Sequence, residues 1–294
     1  MFKKLSISGA GVKGLISLGC LHYYIESGKL NISELTEFAG TSIGSVICLL
    51  ILCGYTPLEI FEEMLKIEND KLFKPQHVQG LWEILGNIGI LSIDNFIIHI
   101  ETLMKLKGWK QIPTFKELYE HTKKKLLISA VNITKCQIEY FCNESTPNMI
   151  VTDAIKMSCN LPFIFKKIKY QDCYYVDGGL LNNLPTDLIN DGKEKTLAIN
   201  VTSLLPVNQS DDSYLSIPQY FFSLLNLPIM MNTSLRSRNF KDNVEILYLY
   251  SKLPGNAKAY NMNFSINEEE KFSLFILGYI QSSEIYQSIY LKLH

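Results

Sequence analysis

The chain opens with the same local unit twice: a short apolar strand, a turn rich in glycine, and an apolar helix. The first copy has a strand over Leu5–Ser8, the turn Gly9–Gly14 and a helix that runs to Ser27. The second has a strand over Phe38–Thr41 and a helix over Ile43–Cys53. Units of this kind place parallel strands side by side, with helices on both faces and the functional site at the carboxyl ends of the strands. We therefore predict an α/β fold, a three-layer sandwich around a mainly parallel central sheet.

The rest of the sequence continues the alternation. Apolar and β-branched runs predict further strands at 125–133, 137–141, 165–170, 174–176, 196–201 and 244–250. Helical spacing predicts further helices at 58–67, 93–106, 150–160 and 267–291, and one that begins at Thr114. Residues 69–91 are expected to be irregular or lid-like, and 203–212 to form a surface loop. Because no linker or repeat divides the chain, we expect a single domain over 1–294.

Composition excludes several classes of function. The formal net charge of −1 provides no basic field for a phosphate polymer, so we expect no nucleic-acid partner. The most apolar run, residues 45–53, is about half of the ~18 residues that suggest a membrane span, which still permits peripheral action on membranes. Seven cysteines without a C-x-x-C pair, and no visible secretion signal, predict a cytoplasmic protein. No metal or other cofactor is expected, since oxygen ligands do not cluster at calcium-loop spacing.

Residues 40–44 (GTSIG) fit the pattern G-x-S-x-G. This pattern places a serine on a sharp turn between strand and helix, where glycines relieve crowding. Here an apolar strand precedes the turn and a long apolar helix follows it. Ser42 is therefore a candidate nucleophile, although a serine at this position can also simply cap the helix.

A serine nucleophile needs a base, and the histidines are poorly placed to supply one. Of the five, only His294 occurs late in the chain, where a hydrolase triad usually has its histidine, and a chain terminus tends to fray. Asp177 is better placed because it follows a predicted strand and precedes Gly178 and Gly179. A dyad of Ser42 and Asp177 is the sharper hypothesis, and an ordinary Asp-Gly turn is the alternative.

The turn Gly9–Gly14 (GAGVKG) has two interpretations. It fits the dinucleotide fingerprint G-x-G-x-x-G, with Glu34 or Glu37 at roughly the spacing of ~20 residues for a ribose contact. Its backbone N–H groups can equally form an oxyanion hole for acyl transfer. The second interpretation is favoured because a serine hydrolase needs both a nucleophile and an amide nest, and adjacent parallel strands would bring the two turns together.

Taken together and in order, these motifs resemble those of the patatin-like phospholipases. The matching segments are Ser8–Gly14 (SGAGVKG), Gly40–Gly44 (GTSIG), Met157–Phe163 (MSCNLPF) and Asp177–Pro185 (DGGLLNNLP). The resemblance covers about residues 5–201, whereas 202–294 adds little that is diagnostic and is expected to complete the fold.

The resemblance implies lipid acyl hydrolysis by a serine–aspartate dyad that works without histidine. Carried over, Ser42 is the nucleophile and Asp177 the base. The amides of the family's glycine loop form the oxyanion hole, and the residues that match it are Gly9, Ala10, Gly11 and Val12. The positions that match supporting residues of the motifs are Lys13, Gly14, Gly40, Gly44, Gly178 and Gly179. The substrate implied is a phospholipid or another acyl ester, met at a peripheral membrane surface.

One departure and two alternatives accompany this hypothesis. The family's run of three glycines is here Gly-Ala-Gly, and a positive φ at Ala10 would cost on the order of 1 kcal/mol. The alternatives are an NAD(P)-binding oxidoreductase that uses Gly9–Gly14, and a catalytically inactive lipid-binding protein.

The apolar segment Ile217–Met231 is expected to be a core helix, an acyl channel or a surface that rests on a bilayer.

Overall fold

A computed structural model describes residues 1–67, 91–202, 217–251 and 266–283. The predicted irregular segment 69–91 and the predicted loop 203–212 lie outside these ranges, except for Leu91. The strands are β1 Lys4–Ile7, β2 Glu37–Thr41, β3 Lys125–Asn132, β4 Gln137–Phe141, β5 Ile168–Tyr170, β6 Cys173–Asp177, β7 Thr196–Thr202 and β8 Val244–Tyr250. The helices are α1 Gly14–Glu26, α2 Ile43–Leu52, α3 Pro57–Lys66, α4 Asp94–Leu106, α5 Phe115–Thr122, α6 Val151–Ser158, α7 Gly179–Asn182, α8 Ile217–Ser237 and α9 Glu268–Gln281.

All eight strands belong to one sheet, in the order β5-β6-β3-β2-β1-β7-β8, with β4 also paired to β3. Strands β3, β2, β1, β7 and β8 run parallel to one another, β4 and β6 each pair antiparallel with β3, and β5 pairs antiparallel with β6. The α/β prediction of a helix-flanked, mainly parallel sheet is confirmed. Its antiparallel part lies at the β3 end, where short strands follow one another along the chain.

The central strands are apolar because helices cover them. Every residue of β1 is buried, and so are seven of the eight residues of β3. A strand in the middle of a parallel sheet is covered on both faces, so it reads as a continuous apolar run instead of an alternating one. Within the described residues, no helix is both long and apolar enough to cross a bilayer.

Strand β3 is shared by three partners, and this arrangement shapes the site. It pairs with β4 along 128–132, with β2 along 125–129 and with β6 along 130–132. Because a strand has only two edges, β4 occupies one edge, and β2 and β6 lie end to end along the other. Their carboxyl ends meet, since Thr41 pairs with Ser129 and Asp177 pairs with the next residue, Ala130.

Helix α1, which follows the first glycine turn, is held by a close crossing with α9. A Cβ added at Gly19 would overlap the carbonyl oxygen of Phe275, and one added at Gly278 would overlap that of Ile16. Both obstacles are backbone atoms, so a side-chain rotation cannot relieve either overlap. The two glycines therefore let the helix backbones approach each other closely.

Replacing Gly278 by alanine is expected to destabilise the protein. Alanine favours a helix by about 1 kcal/mol over glycine, but the overlap with Ile16 forces α1 and α9 apart, at a cost of roughly 1–3 kcal/mol or more. Thermal and urea unfolding measure the net change. Ser273→Ala, at an exposed position of α9, is the control and should leave stability nearly unchanged. A Gly278→Ala protein as stable as the unmodified chain would contradict the close crossing.

Candidate active site

Ser42 occupies a strained turn between β2 and α2. Its φ of 52° and ψ of −130° lie outside the regions that non-glycine residues usually adopt, as expected for a nucleophile elbow. A Cβ at Gly40 would lie 2.6 Å from Ser45 Cα, and one at Gly44 would lie 2.7 Å from the Ser8 carbonyl oxygen. The side chain of Ser42 makes no capping hydrogen bond to α2. The hydroxyl is therefore not occupied in capping the helix, and the side chain is half-buried.

Asp177 is the last residue of β6, and the neighbouring Ser42 side chain lowers the pKa of its carboxyl. Its Oδ1 also accepts one from the Gly179 N–H, at 2.7 Å. The Asp177 N–H donates to the carbonyl of Asn160 at 2.8 Å, so the backbone at this position is fixed as well. The two residues singled out as a dyad, distant in sequence, thus both lie at the junction of β2 and β6.

Burial sets the protonation of the Asp177 carboxyl. Only 5% of the residue is exposed. Loss of hydration raises the pKa of Asp177 to about 6, and the nearby Ser42 side chain and the hydrogen bond from the Gly179 amide oppose this rise. The carboxyl is therefore ionised at neutral pH, yet it is a stronger base than an exposed aspartate.

The glycine turn lies directly against Ser42. A Cβ at Gly9 would be 3.1 Å from the Cβ of Ser42 and 2.6 Å from Oδ1 of Asn183. The Gly9 N–H donates to the Asn183 carbonyl at 3.2 Å, and Asn183 Nδ2 donates to the Gly9 carbonyl at 3.1 Å. The Gly9 amide is thus already engaged. Within the described part of the chain, the amides of Ala10, Gly11 and Val12 donate no hydrogen bond.

The substitution of alanine for the family's middle glycine causes no backbone strain. Ala10 has a φ of −155°, whereas the positive φ falls on Gly11, at 55°. A 3-10 turn over Gly11–Lys13 then leads into α1, and the Lys13 N–H donates to the Ala10 carbonyl at 3.1 Å. A Cβ at Gly14 would meet the side chain of Ile43 at 2.9 Å, so this glycine allows α1 to pack beside the elbow.

The two glycines after Asp177 are held in tight surroundings. A Cβ at Gly178 would lie 2.5 Å from the Ser129 hydroxyl, and one at Gly179 would lie 3.0 Å from Oδ1 of Asp177 itself. Gly178 thus lies close to β3, while Gly179 allows its amide to reach the carboxylate.

Three neighbours of the site received no role from sequence reasoning. Ser158 accepts a hydrogen bond from the Ser42 N–H at 2.8 Å, Asn160 anchors the Asp177 backbone, and Asn183 joins the glycine turn to the aspartate segment. All three lie inside the quoted motifs Met157–Phe163 and Asp177–Pro185. The motifs therefore marked the right segments, but a pattern without coordinates does not say which polar side chain faces which backbone group.

Cys159 is a fourth neighbour, and the side chains of Ser42 and Ser45 lie close enough to lower the pKa of its thiol. Burial raises the pKa of its thiol above the ordinary value, and the nearby charge of Asp177 raises it further. The thiol stays protonated at neutral pH, so it does not compete with Ser42 as a nucleophile.

The histidines in the described ranges make no contact that would let them act as the base for Ser42. His22 packs against the rings of Phe275 and Tyr279, and His121 packs against Trp109. In the described ranges, which exclude His77 and His294, no histidine hydrogen-bonds to Ser42 or Asp177.

The geometry also disfavours the dinucleotide interpretation of Gly9–Gly14. Glu37 lies at the start of β2 and pairs with Lys4, and Glu34 pairs with Lys3. Since β1 and β2 are parallel, both glutamates lie at the amino end of the sheet, whereas the glycine turn follows the carboxyl end of β1. Neither carboxylate is placed to contact the ribose of a nucleotide bound at the turn.

A helix-flanked, mainly parallel sheet with a serine elbow, a glycine turn and a buried aspartate at one junction defines the class of protein. The model of the patatin-like phospholipase family matches residues 5–189, so the chain belongs to that family.

Two viral proteins are similar to this chain over most of its length. The chain is 34% identical over 272 residues to the probable lipid hydrolase 463L of Invertebrate iridescent virus 6. The aligned region covers 88% of this chain and 88% of 463L. It is 27% identical to the uncharacterized protein R571 of Acanthamoeba polyphaga mimivirus, over 94% of this chain and 91% of R571.

Two solved structures share the fold. VipD from Legionella pneumophila matches with a TM-score of 0.57 at 17% identity, over 98% of this chain and 67% of VipD. The type III effector ExoU of Pseudomonas aeruginosa matches with a TM-score of 0.51 at 12% identity, over 97% of this chain and 53% of ExoU. At these identities the likeness establishes the fold alone.

Asp177→Asn is expected to stabilise the protein above pH 6 while leaving the fold intact. The folded-state pKa lies above the unfolded value, so the folded state binds the extra proton and loses stability as pH rises from about 4 to about 6. The neutral amide avoids this loss, which amounts to about 3 kcal/mol at most.

Thermal unfolding at about pH 8 and about pH 4 measures the difference, which should be present at the higher pH and small at the lower one. Asp172→Asn, at an exposed position, is the matched control and should shift neither midpoint. An identical shift for Asp177→Asn at both pH values would show that the carboxylate is not destabilised by burial.

Proposed function

We propose that the protein is a lipid acyl hydrolase of the phospholipase A type that cleaves fatty acyl esters with Ser42 as nucleophile and Asp177 as base. The observation that carries the proposal is the junction of β2 and β6, where the turn with Ser42 adjoins a buried carboxyl whose pKa is raised to about 6. Membership of the patatin-like phospholipase family and the similarity to a probable lipid hydrolase support it.

The reaction proceeds through an acyl-enzyme. Asp177 accepts the Ser42 proton as Oγ attacks the ester carbonyl, and collapse of the tetrahedral intermediate expels the alcohol, which takes a proton back from Asp177. Water then attacks the acyl-serine ester, again with Asp177 as base, and releases the fatty acid and free Ser42. A base with a pKa nearer to neutrality accepts the serine proton more readily than an exposed aspartate does.

The glycine turn supplies the oxyanion hole in this proposal. The amides of Ala10, Gly11 and Val12 donate to no group of the described residues, so they are available to a developing negative charge. Gly9 contributes differently, because its amide is engaged with Asn183: its lack of a side chain leaves room for Ser42. No metal or cofactor is assigned to the reaction.

The C-terminal third is proposed to belong to the same domain. Strand β8 pairs with β7 along its whole length, and α9 packs on α1 through Gly19 and Gly278. The described strand β8 and helix α9 thus extend the sheet and cover α1, which supports one domain for the chain.

Ser42→Ala and Asp177→Asn are each expected to lower kcat/KM by about 1000-fold or more, because nucleophile and base act as one unit. Hydrolysis of a short-chain nitrophenyl ester and of phosphatidylcholine measures the loss. Ser273→Ala and Asp172→Asn, at exposed positions, are matched controls and should retain full activity.

The wild-type rate should also fall as pH drops through about 6, where Asp177 takes up its proton. Unchanged rates in Ser42→Ala and Asp177→Asn would refute the dyad. Lipid binding without any hydrolysis by the wild type would favour the inactive lipid-binding alternative.

Two substitutions at adjacent positions of the glycine turn, Gly11→Ala and Ala10→Gly, are expected to affect kcat differently. Gly11 has a positive φ and open space around it, so alanine there meets no clash but strains the backbone by roughly 1–2 kcal/mol. Relaxation turns the amides away, and kcat should fall about 10- to 100-fold with little change in KM.

Ala10→Gly should leave kcat nearly unchanged, because the φ of −155° at this position does not require glycine. Steady-state kinetics on the nitrophenyl ester compare the two variants. Equal kcat values for Gly11→Ala and the wild type would remove this turn from the oxyanion hole.

A further inference from the structure

One side of α8 exposes a row of large apolar side chains to solvent. Leu224, Leu227, Met231 and Leu235 are 43%, 53%, 60% and 49% exposed. Their spacing of three, four and four residues places them along a single face of the helix. We name these four residues the α8 stripe.

The opposite side of α8 faces the protein with polar groups. Asn232 Nδ2 donates to the Leu180 carbonyl at 3.1 Å, and Arg236 Nε donates to the Leu181 carbonyl at 3.2 Å. Arg236 also forms an ion pair with Asp187 at 2.6 Å. A surface helix normally turns its apolar face inward and its polar face outward. Helix α8 instead leaves a row of four large apolar side chains in water, which indicates that a second apolar phase covers the stripe.

The position of α8 relates the stripe to the candidate active site. Leu180 and Leu181, which accept its hydrogen bonds, belong to α7, and α7 starts two residues after Asp177. Helix α8, which carries the stripe, is therefore attached through α7 to the segment that carries the proposed base.

Charge distinguishes among the possible occupants. From residue 213 to residue 241 the sequence has no aspartate or glutamate, and the exposed residues Arg238 and Lys241 follow the end of α8. An apolar helix face beside cations and without acids is the pattern of helices that lie in the interface of anionic membranes. A second copy of this chain, which has a net charge of −1, offers no comparable complementarity.

We infer that the α8 stripe is a membrane-docking surface that lies on an anionic lipid bilayer. The inference rests on the proposed function in one respect: a lipid hydrolase must reach substrates that are packed in a bilayer. The four residues of the stripe enter the boundary between headgroups and acyl chains, and Arg238 and Lys241 meet the phosphates. The segment that carries Asp177 then stays next to the lipid surface.

Vesicle binding tests the inference without hydrolysis when Ser42→Ala is used as the background. The probe is vesicles of phosphatidylcholine with phosphatidylserine, and sedimentation measures the bound fraction. Leu227→Gln combined with Met231→Gln should weaken binding roughly tenfold for each apolar side chain removed. Leu106→Gln, at a residue of α4 that is 70% exposed, is the matched control and should bind as the background does.

A second variant reports on insertion directly. Tryptophan at the stripe, introduced as Leu227→Trp, should shift its fluorescence emission to shorter wavelength when vesicles are added, because the ring leaves water. Removing phosphatidylserine or raising the salt concentration should weaken binding, since cations contribute to it.

Each outcome separates this inference from the proposed function. Binding that Leu227→Gln/Met231→Gln leaves intact, or that Leu106→Gln weakens equally, overturns the docking surface even if Ser42-dependent hydrolysis is found. A dimer in light scattering that the double variant dissociates also overturns it, because the stripe then contacts a second copy. Stripe-dependent binding by a wild type that hydrolyses no ester supports the surface and refutes the proposed function.

Discussion

The geometry of the candidate site depends on the sharing of one edge of β3 between two strands. Strand β2 reaches Ser129 from one direction and β6 reaches Ala130 from the other, so that Thr41 and Asp177 become neighbours along that edge. Backbone hydrogen bonds of the sheet, and not a flexible loop, therefore bring the serine turn and the aspartate together. Sites built on strands are held more accurately than sites built on loops, which suits the proposed dyad because it has no third residue to orient the base.

The junction of β2 and β6 also lowers the stability of the folded protein. The carboxyl of Asp177 is withdrawn from water and has few hydrogen-bond donors, which makes it a better base but a less stable buried ion. Ser42 is held at a backbone conformation that costs free energy. Strain and buried charge concentrate where the chemistry is proposed, and the well-packed sheet and the close crossing of α1 with α9 offset them.

The sequence predicted the class of fold, the order of the strands along the chain and the residues of the candidate dyad. Local patterns carry that information: the runs at 196–201 and 244–250 became β7 and β8 almost residue for residue. Pairing between distant strands is not encoded locally, so the antiparallel direction of β6 and its place end to end with β2 could not be predicted. The engagement of the Gly9 amide by Asn183 was invisible for the same reason, since the two residues are far apart in the sequence.

Gly9 and Asn183 exchange two hydrogen bonds, one through the Gly9 amide and one through the Asn183 side chain. These two hydrogen bonds hold the glycine turn near the amino terminus against the segment that follows Asp177. In the proposed reaction, a displacement of the turn by a bound acyl chain is passed to the segment after Asp177 through these two hydrogen bonds. Substrate binding and the alignment of the proposed base are then coupled without any movement between domains.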